Sequence, residues 1–460
     1  DSGTVTVGGN LIATTDANSG VINLGTLAVD GTVQLTTNGT GNATVVNDAG
    51  LNFAASTVRG NLAATATTGN IVDSGVLTVA GTSSFTTSAN NADITLNTTT
   101  NAFTGAVALN TTGSRGDATI DGGTTALDIA ASTVSGVLNL TSGNDITDSG
   151  TVTVGAWFSA TTDANNGNIN MNTFAGRAIH LNTHGTGNAT VVNDTQLVFG
   201  NTHMTIGGDL SVTATTGQIM DSDNHNGSVT VAGTSSFTTS QNNADIILDD
   251  TNHAFTGAVT LSTTGSGGHA IIDNGTTALN IAASSVGGNL TLTSGNASGI
   301  TDSGTVTVGG NLAATTDAAN GVINLGTLAV DGTVALTTNG SGNATVVNDA
   351  GLTFAASTVG GNFAATATTG NVTHGSGGAL SVTGTSSFTT SANNAYIALS
   401  YQTNAFTGAV SLNTTGSDGF ARIDGGTTAL DIAASSVGGW LMLTSGHASG
   451  ITDSGTVTVG

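Results

Sequence analysis

The side chains able to carry chemistry are few and of restricted type. All 28 acids are aspartates, and the basic side chains are eight histidines and Arg59, Arg115, Arg177 and Arg422. Carboxylates crowd in only two places, Asp221/Asp223 and Asp249/Asp250, both in the middle third of the chain. Two carboxylates on one face, one of them with a raised pKa, are what glycosidic cleavage requires. Carboxylates also suit hard divalent cations, so these four are the residues nearest to a metal site. No arginine neighbours them in sequence to serve a lyase-type reaction, and no long insertion supplies the walls of a cleft. The chain therefore reads as non-enzymatic and without a cofactor, with calcium at most held loosely on surface carboxylates.

The remaining candidates reduce in the same way. His180 and His184 lie four apart, which in strands separates same-face groups by roughly 13 Å, too far to share a metal. Five of the eight histidines fall between residues 180 and 253, marking the middle third as the most diverged. The stretch GGTTALDIA at Gly122 lacks the third glycine and the aspartate spacing of the calcium-binding nonapeptide GGxGxDxUx. Thr14/Thr15, Thr36/Thr37 and Thr86/Thr87 form no outward threonine array of the kind that binds ice; they fall just past a buried pair, at a corner. Trp157 and Trp440 stand near the starts of strands, where an exposed ring can anchor a carbohydrate or a partner subunit.

Composition narrows the classes further. A formal charge of −24 with four arginines and no lysine cannot neutralise a phosphate backbone, which excludes nucleic acid. Anionic membrane surfaces are disfavoured for the same reason, and no apolar run approaches the roughly 18 residues of a membrane span. Without cysteine there is no disulfide framework and no thiolate chemistry.

What must position these residues is a repeat. DSGTVTVG begins at Asp1, Asp148, Asp302 and Asp453; GNATVVND recurs at Gly41, Gly187 and Gly342, and GTSSFTTS at Gly81, Gly233 and Gly384. The chain thus divides into blocks 1–147, 148–301 and 302–452, with 453–460 opening a fourth. Within a block, short runs of alternating apolar residues are punctuated by Gly, Asn and Asp, which is strand chemistry. Six units of about 25 residues per block, each with three short strands, describe a parallel β-solenoid of 18–19 coils, continuous and without a separate globular domain. The absent residues agree: proline would delete a ladder hydrogen bond, and lysine or glutamate stacked coil on coil would repel its own copy. Asp48, Asp73, Asn97, Asp121, Asp148, Asn172, Asp194, Asp221, Asp249, Asp273, Asp302, Asp349, Asp424 and Asp453 end the third strand of each unit. They are expected to line one edge as turn formers, since Asx side chains bond nearby backbone and tolerate the left-handed region.

Units such as TVTVGGNLAATTDAANGVINLGT, together with GTSSFTTS and GNATVVND, resemble the repeats of large secreted bacterial surface proteins, the filamentous-haemagglutinin-like adhesins and autotransporter-type β-strand-repeat proteins. The resemblance covers the whole chain as a style of repeat. It implies a right-handed β-helix at the cell surface, acting in adhesion or as an extracellular fibre. The expected function is accordingly an extracellular filament or stalk, self-associating end to end or belonging to a longer tandem array, with any export signal outside this segment. The alternative is an adhesin shaft that displays a site for a receptor, a glycan or a neighbouring cell.

Overall fold

The computed structural model describes residues 1–200, 202–222 and 227–460 and contains no helix among them. Contacts group the chain into two compact units, Asp1–Gly217 with Ser222–Gly233, and Gln218–Asp221 with Thr234–Gly460. Each unit is a parallel β-solenoid built from two faces. Alternation fixes which residues enter the core: in Ala43–Asn47 and Leu51–Phe53 every second residue is buried.

The coil is shorter than the 25-residue unit read from the sequence. In the first unit the face carrying Val5–Val7 is followed by Ile22–Val29, Ala43–Asn47, Leu62–Ala66, Ser83–Asn90, Val107–Thr112, Ser132–Val134 and Val152–Val154, each paired in parallel with the one before. Seven steps thus cover the 147 residues from Val5 to Val152, an average of 21. The third block repeats this in the second unit, where seven steps lead from Val306–Val308 to Val457–Val459. A block is therefore seven coils rather than six. Three short strands per unit imply three equivalent sides to each coil. Instead a coil has two faces, and either one can break into two short strands. The second face breaks at Leu51–Phe53/Ser56–Val58, the first at Leu127–Ile129/Ser132–Val134. Leu62 consequently stacks on Ala43, and Val33 stacks on Phe53.

Twelve of the thirteen phenylalanines are fully buried. In the first and third blocks they cluster: Phe53–Phe85–Phe103 meet edge to face at 6.3 and 6.1 Å, and Phe354, Phe363, Phe388 and Phe406 do the same, while the second block pairs Phe158 with Phe174 and Phe237 with Phe255. Each buried ring contributes about 1.5–3 kcal/mol from area, and edge-to-face contact adds about 0.5–1.5 kcal/mol.

The threonine pairs close the corners. One buried member of a pair donates to a carbonyl four or five residues on: Thr37 to Gly41 and Thr87 to Ala92 as second members, Thr111 to Gly116 and Thr263 to Gly268 as first members. The same oxygen accepts a backbone N–H from the next coil, as Thr37 does from Arg59 and Thr263 from Gly287. A buried hydroxyl with both roles filled is stabilising.

Candidate functional site

One corner differs chemically in every block. Ile71–Asp73, Ile219–Asp221 and Val372–His374 are equivalent strands, and so are Ala102–Phe103, Ala254–Phe255 and Ala405–Phe406. The residue before each of the latter is Asn101, His253 or Asn404. The segment joining the corner to the following strand differs too, holding three residues after Asp73, seven after Asp221 and five after His374.

In the first block the buried Asn101 donates from Nδ2 to Asp73 Oδ2 at 2.6 Å and accepts the Leu77 N–H on Oδ1 at 2.8 Å. In the second, His253 Nε2–H faces both oxygens of Asp221 at 3.0 Å, and both side chains are almost wholly buried. The Asp250 N–H also donates to Asp221 Oδ2 at 3.0 Å, and the His253 ring lies on Phe255 with centroids 5.3 Å apart. Asp250 takes Asn252 N–H and Nδ2 on one oxygen, while its other oxygen is buried without a partner. In the third block Asn404 Oδ1 is held by the Leu380 N–H, and its donor Nδ2 is shared among Asp424 O at 3.1 Å, Leu399 O at 3.2 Å and His374 Nε2 at 3.4 Å. His374 therefore accepts, which requires a neutral ring. Burial holds its pKa below the ordinary histidine value. Tyr401 covers the ring at 4.7 Å and ties the short loop down through hydrogen bonds with Gly375 and Gly377.

Of the carboxylates nearest to a metal site, Asp221, Asp249 and Asp250 belong to this corner, and Asp223 lies outside the described residues. Among the described residues no group of three or more His or Asp is placed to hold a metal. Asp221 instead spends its oxygens on His253 and the Asp250 N–H.

The fourteen Asx residues do not form one ladder. Asp48, Asp148, Asn172, Asp194, Asp302, Asp349 and Asp453 lie in or just after strands of the first face, whereas Asp73, Asn97, Asp121, Asp221, Asp249, Asp273 and Asp424 lie in or just after strands of the second. Their work also differs. Asp148 accepts Asn172 and Thr173 N–H from the next coil, and Asp302 accepts Gly326 and Thr327 likewise. Asp121, Asp273 and Asp424 make local Asx turns onto Gly123, Gly275 and Gly426, whose φ angles of 59°, 52° and 60° favour glycine. Burial raises the pKa of Asp121 and Asp273, opposed by those glycine N–H groups.

A more regular column escaped the sequence reading. The residue just before a second-face core strand passes a side-chain oxygen to the N–H of its copy one coil on. Asn70 accepts from Asp93, Asp93 from Asp117, and Asp117 from Val137, at 2.7–2.9 Å. In the second block Asp245 accepts from His269, and His269 Nδ1 from Asn289. In the third block the column begins with Asn371 accepting from Tyr396 and then changes character. Tyr396, Phe420 and Trp440 stack with centroids 4.5 and 4.3 Å apart and planes within 7° and 3° of parallel. Aligning the blocks by their core strands, rather than by motif strings, is the signal that would have revealed it. Trp157, by contrast, lies over Gly200, where any β-carbon would collide with the indole.

Compared with known proteins, residues 40–110, 115–179, 186–262, 267–325 and 341–413 match the family described as "Repeats of unknown function (DUF5649)". No curated protein and no solved structure matches the chain significantly.

Proposed function

The chain belongs to the DUF5649 repeat family, and we propose that its repeats serve a structural role as an extracellular filament or stalk, within a longer tandem array or by self-association of copies end to end. The observation that supports this reading is the corner chemistry. Buried threonine and half-buried Asx side chains spend their capacity on backbone of their own or the neighbouring coil, as Thr37, Thr263, Asp148 and Asp302 do. Such side chains build a scaffold and leave little for a substrate. The resemblance to secreted β-strand-repeat proteins points to the cell surface, and with almost no trypsin sites such a fibre would resist proteolysis.

Electron microscopy with fibre diffraction tests this. Unbranched filaments with a meridional reflection near 4.8 Å are expected. Compact particles that never assemble, at any concentration, would overturn the reading. The second reading, an adhesin shaft, is favoured by one observation: three surface aromatics of the third block, Tyr396, Phe420 and Trp440, stack in a single column.

A further inference from the structure

The stacked column of the third block has no counterpart in the other two. Phe420 is the one phenylalanine outside the fully buried set. It sits between Tyr396 and Trp440, where the first block has Asp93, Asp117 and Val137 and the second has Asp245, His269 and Asn289. Beside it runs a second outward column, Ala398, Arg422 and Met442, in register across the same three coils. The equivalents in the first block are Thr95, Thr119 and Asn139. Arg422 is the only arginine after Arg177, is exposed, and has no ion-pair partner among the described residues.

The ring geometry decides what this patch can bind. Because the rings lie face on face, their faces are used on one another and their edges point outward. Aromatic edges carry the positive part of the ring quadrupole. Three such edges beside an unpaired guanidinium make a positive strip on a chain of formal charge −24. A second copy of this chain fits poorly: Arg422 lies on the middle of the three coils, so two-fold pairing of the patch would oppose two guanidiniums. An extended peptide fits poorly as well, since the side of a solenoid offers no free strand edge to extend. What remains is a small, rigid, oxygen-rich anion. Diagonal neighbours on a sheet stand roughly 7–8 Å apart, so Arg422 and the half-exposed Trp440 are separated by about the span of one sugar ring.

We infer that Tyr396, Phe420, Trp440 and Arg422 form a recognition site for an acidic saccharide. Arg422 takes the carboxylate in bidentate fashion, and the ring edges with the Trp440 indole take the ring oxygens and hydroxyls. This goes beyond the scaffold role and does not depend on it.

Trp157→Phe leaves Trp440 as the only tryptophan, so its fluorescence reports on the site. Titration with tri-galacturonate is expected to give a saturable change that is suppressed by added salt. Arg422→Gln should weaken binding at least tenfold with an unchanged far-ultraviolet dichroism spectrum, because the side chain is exposed and unpaired. Phe420→Thr should abolish the response. Maltotriose should give none. A missing saturable response, equal binding by Arg422→Gln, or equal affinity for maltotriose would overturn the proposal. So would equal affinity for tri-aspartate, which would reduce the site to a general anion patch. Assembly into filaments is read separately, so either result leaves the other standing.

Discussion

The corner at Asp221–His253 and the corner at His374–Asn404 occupy the same place in the coil with the histidine on opposite sides of the pair. In the second block a carboxylate accepts and a histidine donates; in the third a histidine accepts and an amide donates. The first block combines the two arrangements, with Asp73 accepting from Asn101. What persists is the balance, one acceptor at the strand end facing one donor before the next phenylalanine strand. The backbone ladder tolerates any pair that satisfies it, because an unpaired buried polar group costs about 1–3 kcal/mol whereas exchanging both partners together costs little.

The sharpest way to break this rule is to remove one partner where burial is deepest. Asp221→Ala removes the carboxylate facing His253 Nε2 and should destabilise its coil by up to about 3 kcal/mol, the upper end for disrupting a buried polar pair. Asp73→Ala, at a partly exposed corner with an amide partner, should cost about 1 kcal/mol. His253→Asn rebuilds the first-block pair and should recover most of the loss caused by His253→Ala. Long repeat arrays need not unfold as one unit, so amide exchange in Ile246–Leu248 and Ile94–Leu96 is the measurement. Equal protection loss in Asp221→Ala and Asp73→Ala would show that burial does not set the cost.

Acid separates the corners next. The folded pKa of His374 is depressed by burial, so the folded state binds fewer protons than the unfolded chain. Its contribution is complete above the unfolded histidine value of about 6.5 and is lost as pH falls through the lowered folded value. Protonation would also set two donors against each other at Asn404 Nδ2. Exchange protection around Leu380–Val382 is expected to fall between pH 7 and pH 5, while Leu77–Val79, beside the Asp73 corner, should hold. Asp121 and Asp273 run the other way. Their raised values mean that protonation relieves a cost, so their local stability improves as pH falls through the folded values. His374→Asn should flatten the pH response of the third corner; an unchanged response would place its origin elsewhere.

Much of this architecture was legible in the sequence, and the errors have physical causes. Alternation and the missing proline, lysine and glutamate identify parallel strands stacked coil on coil, because every outward residue meets its own copy. The coil is shorter than the alternation implies because Ser56, Ser132, Ser284 and their equivalents begin a new short strand without breaking the apolar pattern. Their hydroxyls bond the carbonyl two residues back and accept an N–H from the preceding coil, folding one face into two pieces that read as separate sides. The Asp221–His253 pair was hidden for a different reason. Thirty-two residues separate its members, and neither is unusual on its own. Only the aligned series Asp73/Asn101, Asp221/His253, His374/Asn404 shows them changing together.

One column obeys the opposite logic and gives the smallest test. Ser83, Ser235 and Ser386, from the repeated GTSSFTTS string, point into the core with hydroxyls that meet no partner in any block. Ser83 stacks between Leu62 and Val107, and Ser386 between Phe363 and Val410. If polar balance governs the corners, an unbalanced hydroxyl in the core is a standing cost, and removing it should help. Ser83→Ala and Ser386→Ala are each expected to stabilise their coil by up to about 1 kcal/mol, the desolvation recovered less the small loss of packing. Slower amide exchange in Ser83–Asn90 and Ser386–Asn393 is the readout. Destabilisation instead would mean that the hydroxyl fills space whose loss outweighs its unmet bond. Packing against the large neighbours Leu62 and Phe363, and not hydrogen-bond balance, would then set which residue this column accepts.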